Sequence, residues 1–231
     1  MTTRVKSFFL DRGVSLAAVV TILFVASLAQ ASISWTIGFG ALRSLLPGDI
    51  LPVTTALVAL RFGLIALLVV LWALKRKRAL FRCIVIVNAL FTAALLLHTN
   101  ALFGVLFGSI SDAIGTLLLD VVLMAVSNVL LFSIWYWIID PPGVDETQRN
   151  DKPWEFLFPQ RGSSLPHYES WVPRYTDYLF VAFTTSFAFS PTDALPLTRR
   201  AKMLMLLQAS ISVTTLTGIA GSAINILAGA K

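Results

Sequence analysis

Five runs of apolar residues, each long enough to cross a bilayer, constrain this chain more than any other feature. They extend from about Val14 to Ile37, Ile50 to Leu74, Cys83 to Phe107, Ala113 to Ile139 and Ala201 to Ala228. A helix needs about 20 apolar residues to cross the hydrocarbon core. In lipid the backbone has no water to bond with, and a helix satisfies its backbone within one segment. The expectation is an all-α polytopic membrane protein. Composition agrees: 57% of the 231 residues are hydrophobic, 13% are charged and the mean hydropathy is +0.81. Soluble domains carry about 25% charged residues. Short turns with breakers separate the first four runs: Gly38 and Gly40, Pro47-Gly48, then Gly108-Ser109.

The N-terminus has some marks of a secretory signal. Arg4, Lys6 and Arg12 precede an apolar run, and Ala29-Gln30-Ala31 fits a cleavage site. The run continues past that site and is too long for a signal h-region, so an uncleaved first transmembrane helix is expected.

Basic residues set the orientation. Lys75, Arg76, Lys77, Arg78 and Arg82 fill the link between the second and third runs. Cytoplasmic loops carry the excess of Lys and Arg, so this link and the N-terminus are expected inside. Trp35, Trp72 and the group Trp135, Tyr136 and Trp137 fall at the run ends, where aromatic anchors sit. The net charge of +6 is therefore an orientation signal rather than a nucleic-acid signal. Cys83 is the lone cysteine and cannot form an internal disulfide.

Residues 140–177 are of different composition: acidic, rich in proline, and carrying Trp154, Phe156, Phe158, Tyr168, Trp171 and Tyr175. Disordered linkers are poor in aromatics. An ordered cytoplasmic loop is expected, with WEFLFP partly buried against the membrane domain and able to dock a protein partner. The following run, Tyr178 to Phe189, is short for a crossing. If it enters and leaves on the cytoplasmic side, Arg199, Arg200 and Lys202 stay inside, as the positive-inside bias prefers. The expected topology is five transmembrane helices plus one re-entrant segment, with six transmembrane helices as the alternative. It divides the chain into a four-helix membrane domain (1–139), the loop (140–177), and a re-entrant helix with a final transmembrane helix (178–231).

Three stretches carry a resemblance: WYWIID from Trp135, WEFLFPQ from Trp154, and DYLFVAFTTSFAFSPTDALPLTRRAKMLMLLQ from Asp177. They resemble an uncharacterised family of bacterial polytopic membrane proteins with a DYLY-x-SFT…AFSPTD motif near the C-terminus. The chain departs from that pattern at Ile138-Ile139 and at Arg199-Arg200. The resemblance implies a bacterial plasma-membrane protein and brings no activity.

The SPTD stretch is also similar, more weakly, to the pore unit of potassium channels, aligned on Asp193, Pro196 and Thr198. A potassium filter aims stacked carbonyls at the ion, and its glycines permit that backbone. Ser190 and Thr192 replace the glycines, and Pro191 fixes φ. A degenerate pore loop without potassium selectivity is expected. Thr184, Thr185, Ser190, Thr192 and Asp193 are its candidate constriction. The plainer reading is that SPTD ends a short helix and Asp193 or Thr198 caps the next.

Polar residues within the apolar runs come next. Arg61 is costly at mid-membrane and needs a partner or water. Asp120 is a candidate partner, with His98 and Asn100 in the same outer half. The four form either an ion or proton site or a structural ion pair with satisfied neighbours. Asn88 and Asn128 read as helix-packing hydrogen bonds. Ser210, Thr214, Gly218 and Ser222 recur every four residues, a small-residue stripe that lets helices approach closely, within the chain or in a homo-oligomer.

No glycine-rich phosphate loop, Cys/His metal spacing or nucleophile elbow is visible, so no enzyme, cofactor or metal is expected. Two functions remain: a channel-like or solute-conducting protein, expected as a homo-oligomer in the bilayer, or a non-conducting scaffold or accessory subunit.

Overall fold

The computed structural model describes residues 14–33, 51–107, 114–140, 154–161, 168, 171–188 and 194–229. Among them are six helices and one two-stranded ladder. The helices are α1 (Val14–Ala31), α2 (Leu51–Ala73), α3 (Lys77–Phe107), α4 (Ile114–Ile139), α5 (Tyr175–Phe187) and α6 (Arg199–Gly229). The strands β1 (Phe156–Leu157) and β2 (Leu195–Pro196) pair antiparallel, Phe156 opposite Pro196 and Leu157 opposite Leu195. Four helices are long and apolar enough to cross a membrane: Thr55–Ala73, Lys77–Phe103, Leu117–Ile139 and Arg199–Gly221. Ser15–Ala31 is a shorter apolar helix. The chain is thus an all-helical membrane protein with several spans. Trp35 and the rest of the first run beyond Ile33 lie outside the described residues.

The basic link between α2 and α3 is tighter than the sequence suggests. Lys75 N–H bonds Trp72 O at 3.1 Å and Arg76 N–H bonds Leu71 O at 3.1 Å. These two bonds close a Schellman turn around Lys75, whose φ is 57°. The chain re-enters helix at Lys77, so Lys77, Arg78 and Arg82 are helical. Lys and Arg are good helix formers, and the helix can continue beyond the apolar boundary.

At α5 the helix begins at Tyr175, a turn before the apolar run. Asp177 explains this: its carboxylate accepts the Arg174 N–H at 2.6 Å, while its own N–H bonds Arg174 O at 3.0 Å. At α6 the Thr198 hydroxyl accepts the Ala201 N–H at 3.2 Å, which caps the helix start.

Helix α4 is the central post, packed against α1, α3, α5 and α6. Leu23, Ile84, Leu95, Met124 and Phe132 are fully buried on α4 and the helices packed against it. The outward faces carry Leu60, Val70, Leu97, Leu119, Met203 and Leu206, an apolar exterior suited to lipid. Helices α3 and α4 run antiparallel: Phe81 meets Trp137, and Asn88 meets Leu131. The basic turn therefore lies at the same end of the bundle as Asp140, which follows α4.

Candidate functional site

The end of α4 organises this face of the molecule. Asp140 is 1% exposed, and five donors converge on its carboxylate. Glu155 N–H and Phe156 N–H reach Oδ1 at 2.8 and 3.2 Å. Arg161 spans both oxygens, Nη1 to Oδ1 at 3.3 Å and Nη2 to Oδ2 at 2.9 Å. The Tyr178 hydroxyl donates to Oδ2 at 2.6 Å. Burying a carboxylate is tolerable only when it is paired and hydrogen-bonded, and here both conditions are met. Arg161 Nη1 also bonds Phe156 O at 2.9 Å, and the guanidinium lies 4.7 Å from the Trp154 ring centroid and 5.8 Å from that of Phe158.

Aromatic rings complete this clasp. Phe156 stacks edge-on to Tyr136 at 5.2 Å and Phe158 to Tyr178 at 5.6 Å, with Trp171 5.6 Å from Phe158. The segment 154–161 is therefore ordered and fixed to α4 and α5. It also holds the start of α6. Leu197 N–H bonds Glu155 O at 2.9 Å, and the Thr198 hydroxyl donates to the Glu155 carboxylate. Residues 141–153, 162–167 and 169–170 of the expected loop lie outside the described residues.

A second polar group runs down between α4, α5 and α6. Gln208 Nε2 donates to Ala182 O at 2.8 Å and to Ser186 Oγ at 2.7 Å, and its Oε1 accepts the Tyr136 hydroxyl. Asn128 Nδ2 donates to Gln208 O at 3.2 Å and to Ser212 Oγ at 2.8 Å. Thr185 is buried beside Tyr136. Nearer the clasp, Ser133 and Tyr175 share a hydrogen bond of 2.6 Å. This seam joins three helices by side chains, and it descends from the clasp toward the C-terminal end of α5.

These contacts fix directions. Both α5 and α6 start at the Asp140 end: Tyr178 bonds Asp140, and Thr198 bonds Glu155. Gln208, about two and a half turns into α6, meets Ser186, about three turns into α5. The two helices thus descend side by side, and β2 lies back at the clasp.

Of the candidate constriction, Ser190, Thr192 and Asp193 lie outside the described residues. Thr184 bonds its own helix, at Phe180 O (3.0 Å) and Val181 O (3.1 Å). Thr185 and Ser186 turn inward to the seam. In the small-residue stripe, Ser210 is exposed and Thr214 buried, both bonded to their own helix, and Gly218 packs inside the bundle. A Cβ at Gly218 would stand 3.1 Å from Val121 Cγ2 and 3.2 Å from Leu102 Cδ2. The Ser222 side chain lies outside the described set. Asn88 bonds Leu131 O across helices, and Asn128 bonds α6, as their packing role requires.

The expected Arg61–Asp120 pair does not form. Arg61 meets the face of Phe91, 5.3 Å from its centroid, and lies within electrostatic reach of His98. Asp120 is buried in α4, and Asn100 is exposed. Matched depth was the reason to pair the two charges, but depth does not say which faces of α2 and α4 meet.

The sequence reading missed Asp140, Arg161, Tyr178 and Gln208 as a set. A signal existed for the first two: an acid directly after an apolar run, and a base closing an aromatic loop. Gln208 inside the last apolar run carried the cost of any buried amide and required a partner. No family model, no curated protein and no solved structure matches the chain. Among the described residues no group of three or more His, Cys, Asp or Glu could hold a metal ion.

Proposed function

We propose that the chain is a channel-like, solute-conducting protein of the bacterial plasma membrane, with five spans and a re-entrant helix entering from the cytoplasm. One observation carries this reading: α5 and α6 start at the same end and descend side by side. Helix α5 has 13 residues, about 20 Å, against a hydrocarbon core of about 30 Å. From Ala188 to Leu195 an extended chain reaches about 24 Å, enough to return to the clasp. Irregular backbone at that depth is tolerated where it is buried in protein or lines water. The C-terminal end of α5 would present its negative dipole to the membrane interior, and Asp193 would add charge, so cations are favoured.

The basic turn, Arg174, Arg199, Arg200 and Lys202 stand at the clasp end, which supports its cytoplasmic placement. The resemblance to bacterial polytopic proteins supports the plasma membrane. The C-terminus would then lie outside, and the stripe from Ser210 to Ser222 would serve in-chain packing first.

Flux of monovalent cations into liposomes tests the proposal. Wild type should conduct with little preference between potassium and sodium, and Asp193→Asn should conduct less. Absence of flux for every monovalent ion would overturn it. A second reading, a non-conducting scaffold with the clasp as its docking face, is favoured by one feature: Gln208 and Asn128 spend their donors within the seam. The same absence of flux would select it.

A further inference from the structure

We propose that Arg199, Arg200 and Lys202, at the clasp end of α6, bind the phosphate of an anionic lipid headgroup whose acyl chains lie along Met203, Leu206 and Leu207. The three charges open a helix long and apolar enough to cross the membrane. All three side chains are exposed, and no carboxylate among the described residues is ion-paired to them. The described acids at this end are otherwise engaged. Asp140 holds Arg161, the Glu155 carboxylate accepts the Thr198 hydroxyl, and Asp177 accepts the Arg174 N–H.

Helix geometry sets these charges beside apolar surface. Ala201, Met205 and Gln208 are buried and mark the inward face of α6. Arg199, Met203 and Leu206 fall on the opposite face at i, i+4 and i+7, and Arg200 shares a stripe with Leu207. Met203 is 63% exposed and Leu206 60%, an outward strip suited to acyl chains. At 1.5 Å per residue, Arg199 stands about 6 Å along the helix from Met203, toward the clasp. The headgroup layer is roughly 5–8 Å deep on each side of the hydrocarbon core, so the guanidinium reaches the phosphates there. Leu197 N–H, bonded to Glu155 O at 2.9 Å, and the Thr198 hydroxyl on the Glu155 carboxylate fix where α6 starts. A phosphodiester offers two oxygens to a guanidinium fork and accepts the Lys202 ammonium as a point charge. A soluble anion would meet the charges and leave the strip uncovered. A lipid meets both with one molecule, and this selects it as the occupant.

The test uses the full chain in phosphatidylcholine vesicles containing a photoactivatable phosphatidylglycerol, with photoactivatable phosphatidylcholine as control. Cross-linked peptides are mapped by mass spectrometry. Phosphatidylglycerol should label residues 199–207 saturably and in preference to phosphatidylcholine. Each Lys or Arg near an anionic surface contributes roughly fivefold to binding. Arg199→Gln, Arg200→Gln and Lys202→Gln combined should therefore lower this labelling at least about tenfold. Arg199→Lys with Arg200→Lys keeps the charge and should keep most of the labelling. Arg76→Gln, Lys77→Gln and Arg78→Gln combined remove equal charge from the α2–α3 turn and should leave labelling at 199–207 unchanged. Unlabelled phosphatidylglycerol should compete, and inorganic phosphate should not. Gel filtration checks that the triple variant is folded; if it is not, the three single changes, each about fivefold, decide. Equal labelling by the two lipids, or labelling that survives these changes, would overturn the proposal. Competition by phosphate would also overturn it, by assigning the charges to a soluble anion.

Discussion

Asp140 holds Arg161 by both arms of the guanidinium, at 2.9 and 3.3 Å, where neither side chain meets water. The pair ties a loop to the end of a membrane helix. Its two members are not equivalent. Remove Arg161, and Asp140 keeps two backbone N–H donors and the Tyr178 hydroxyl. Remove Asp140, and the two backbone N–H groups and the Tyr178 hydroxyl lose this acceptor, while the buried Arg161 loses its counter-charge and keeps the Phe156 carbonyl. Asp140→Ala should therefore cost roughly 3–5 kcal/mol. Arg161→Met should cost less, about 1–3 kcal/mol. Thermal unfolding in detergent gives the order, and protease cutting within residues 154–161 should appear first in Asp140→Ala. Equal effects would show that the backbone donors contribute nothing.

Gln208 is the hinge pin of the seam, bonding Tyr136 on α4 and Ala182 and Ser186 on α5. Interhelical hydrogen bonds in lipid are individually modest, about 0.6 kcal/mol on average and up to about 1.7. Gln208→Leu removes three and strands the Tyr136 hydroxyl, so it should cost about 2 kcal/mol. Tyr136→Phe removes one and should cost about half as much. A double-mutant cycle on detergent-solubilised protein should give a coupling clearly above zero; additive losses would mean the bond is incidental.

Gly218 and Gly63 should respond in opposite senses. At Gly218 a Cβ would press on Val121 and Leu102 at 3.1 and 3.2 Å, contacts a methyl can meet only if its neighbours yield. Gly218→Leu should destabilise by about 1–3 kcal/mol through overpacking. At Gly63 nothing lies within 4 Å of the added carbon. Gly63→Ala should stabilise by up to about 1 kcal/mol, the helix propensity difference. Unfolding midpoints of the two variants check both signs.

What the sequence could reveal followed from the physics of each feature. Apolar length and basic flanks are one-dimensional, so the helices and the positive end could be read directly. The restart at Arg199 was legible because Thr198 caps it locally; α5 ends at Phe187, before the SPTD stretch, and Ser190 to Asp193 lie outside the described residues. Faces were not legible. Arg61 meets Phe91 because of how α2 is rotated against α3, and no spacing rule encodes that. The clasp was half visible: WEFLFPQ and WYWIID stood out as motifs, but the role of Asp140 depends on a loop folding back over 21 residues to Arg161.

Lys75 carries a small, testable strain. It holds φ at 57° to close the turn after α2, a conformation that glycine adopts freely and lysine does not. Lys75→Gly should gain about 1 kcal/mol of stability. The neighbouring Arg76, Lys77 and Arg78 retain the positive charge that orients the turn. A lower unfolding midpoint for Lys75→Gly would mean that the lysine side chain matters more than its backbone.

The side reached by Leu195 decides the topology. Leu195 is exposed beside β1, and β1 is held by Asp140, so it shares an end with the basic turn at Lys75. If α5 re-enters, Leu195 lies on the cytoplasmic side although it follows an apolar helix. If α5 crosses, Leu195 lies outside. Cysteine at 195, in a chain with Cys83→Ser, can be probed with a membrane-impermeant maleimide in intact cells and in inverted vesicles. Labelling should occur in inverted vesicles and not in cells, matching cysteine placed at 75. Cysteine at 180 or 183, on the exposed face of α5, should resist the reagent from both sides because that face lies in lipid. Labelling of Leu195→Cys from outside, with cysteine at 75 labelled from inside, would replace the re-entrant helix by a sixth span.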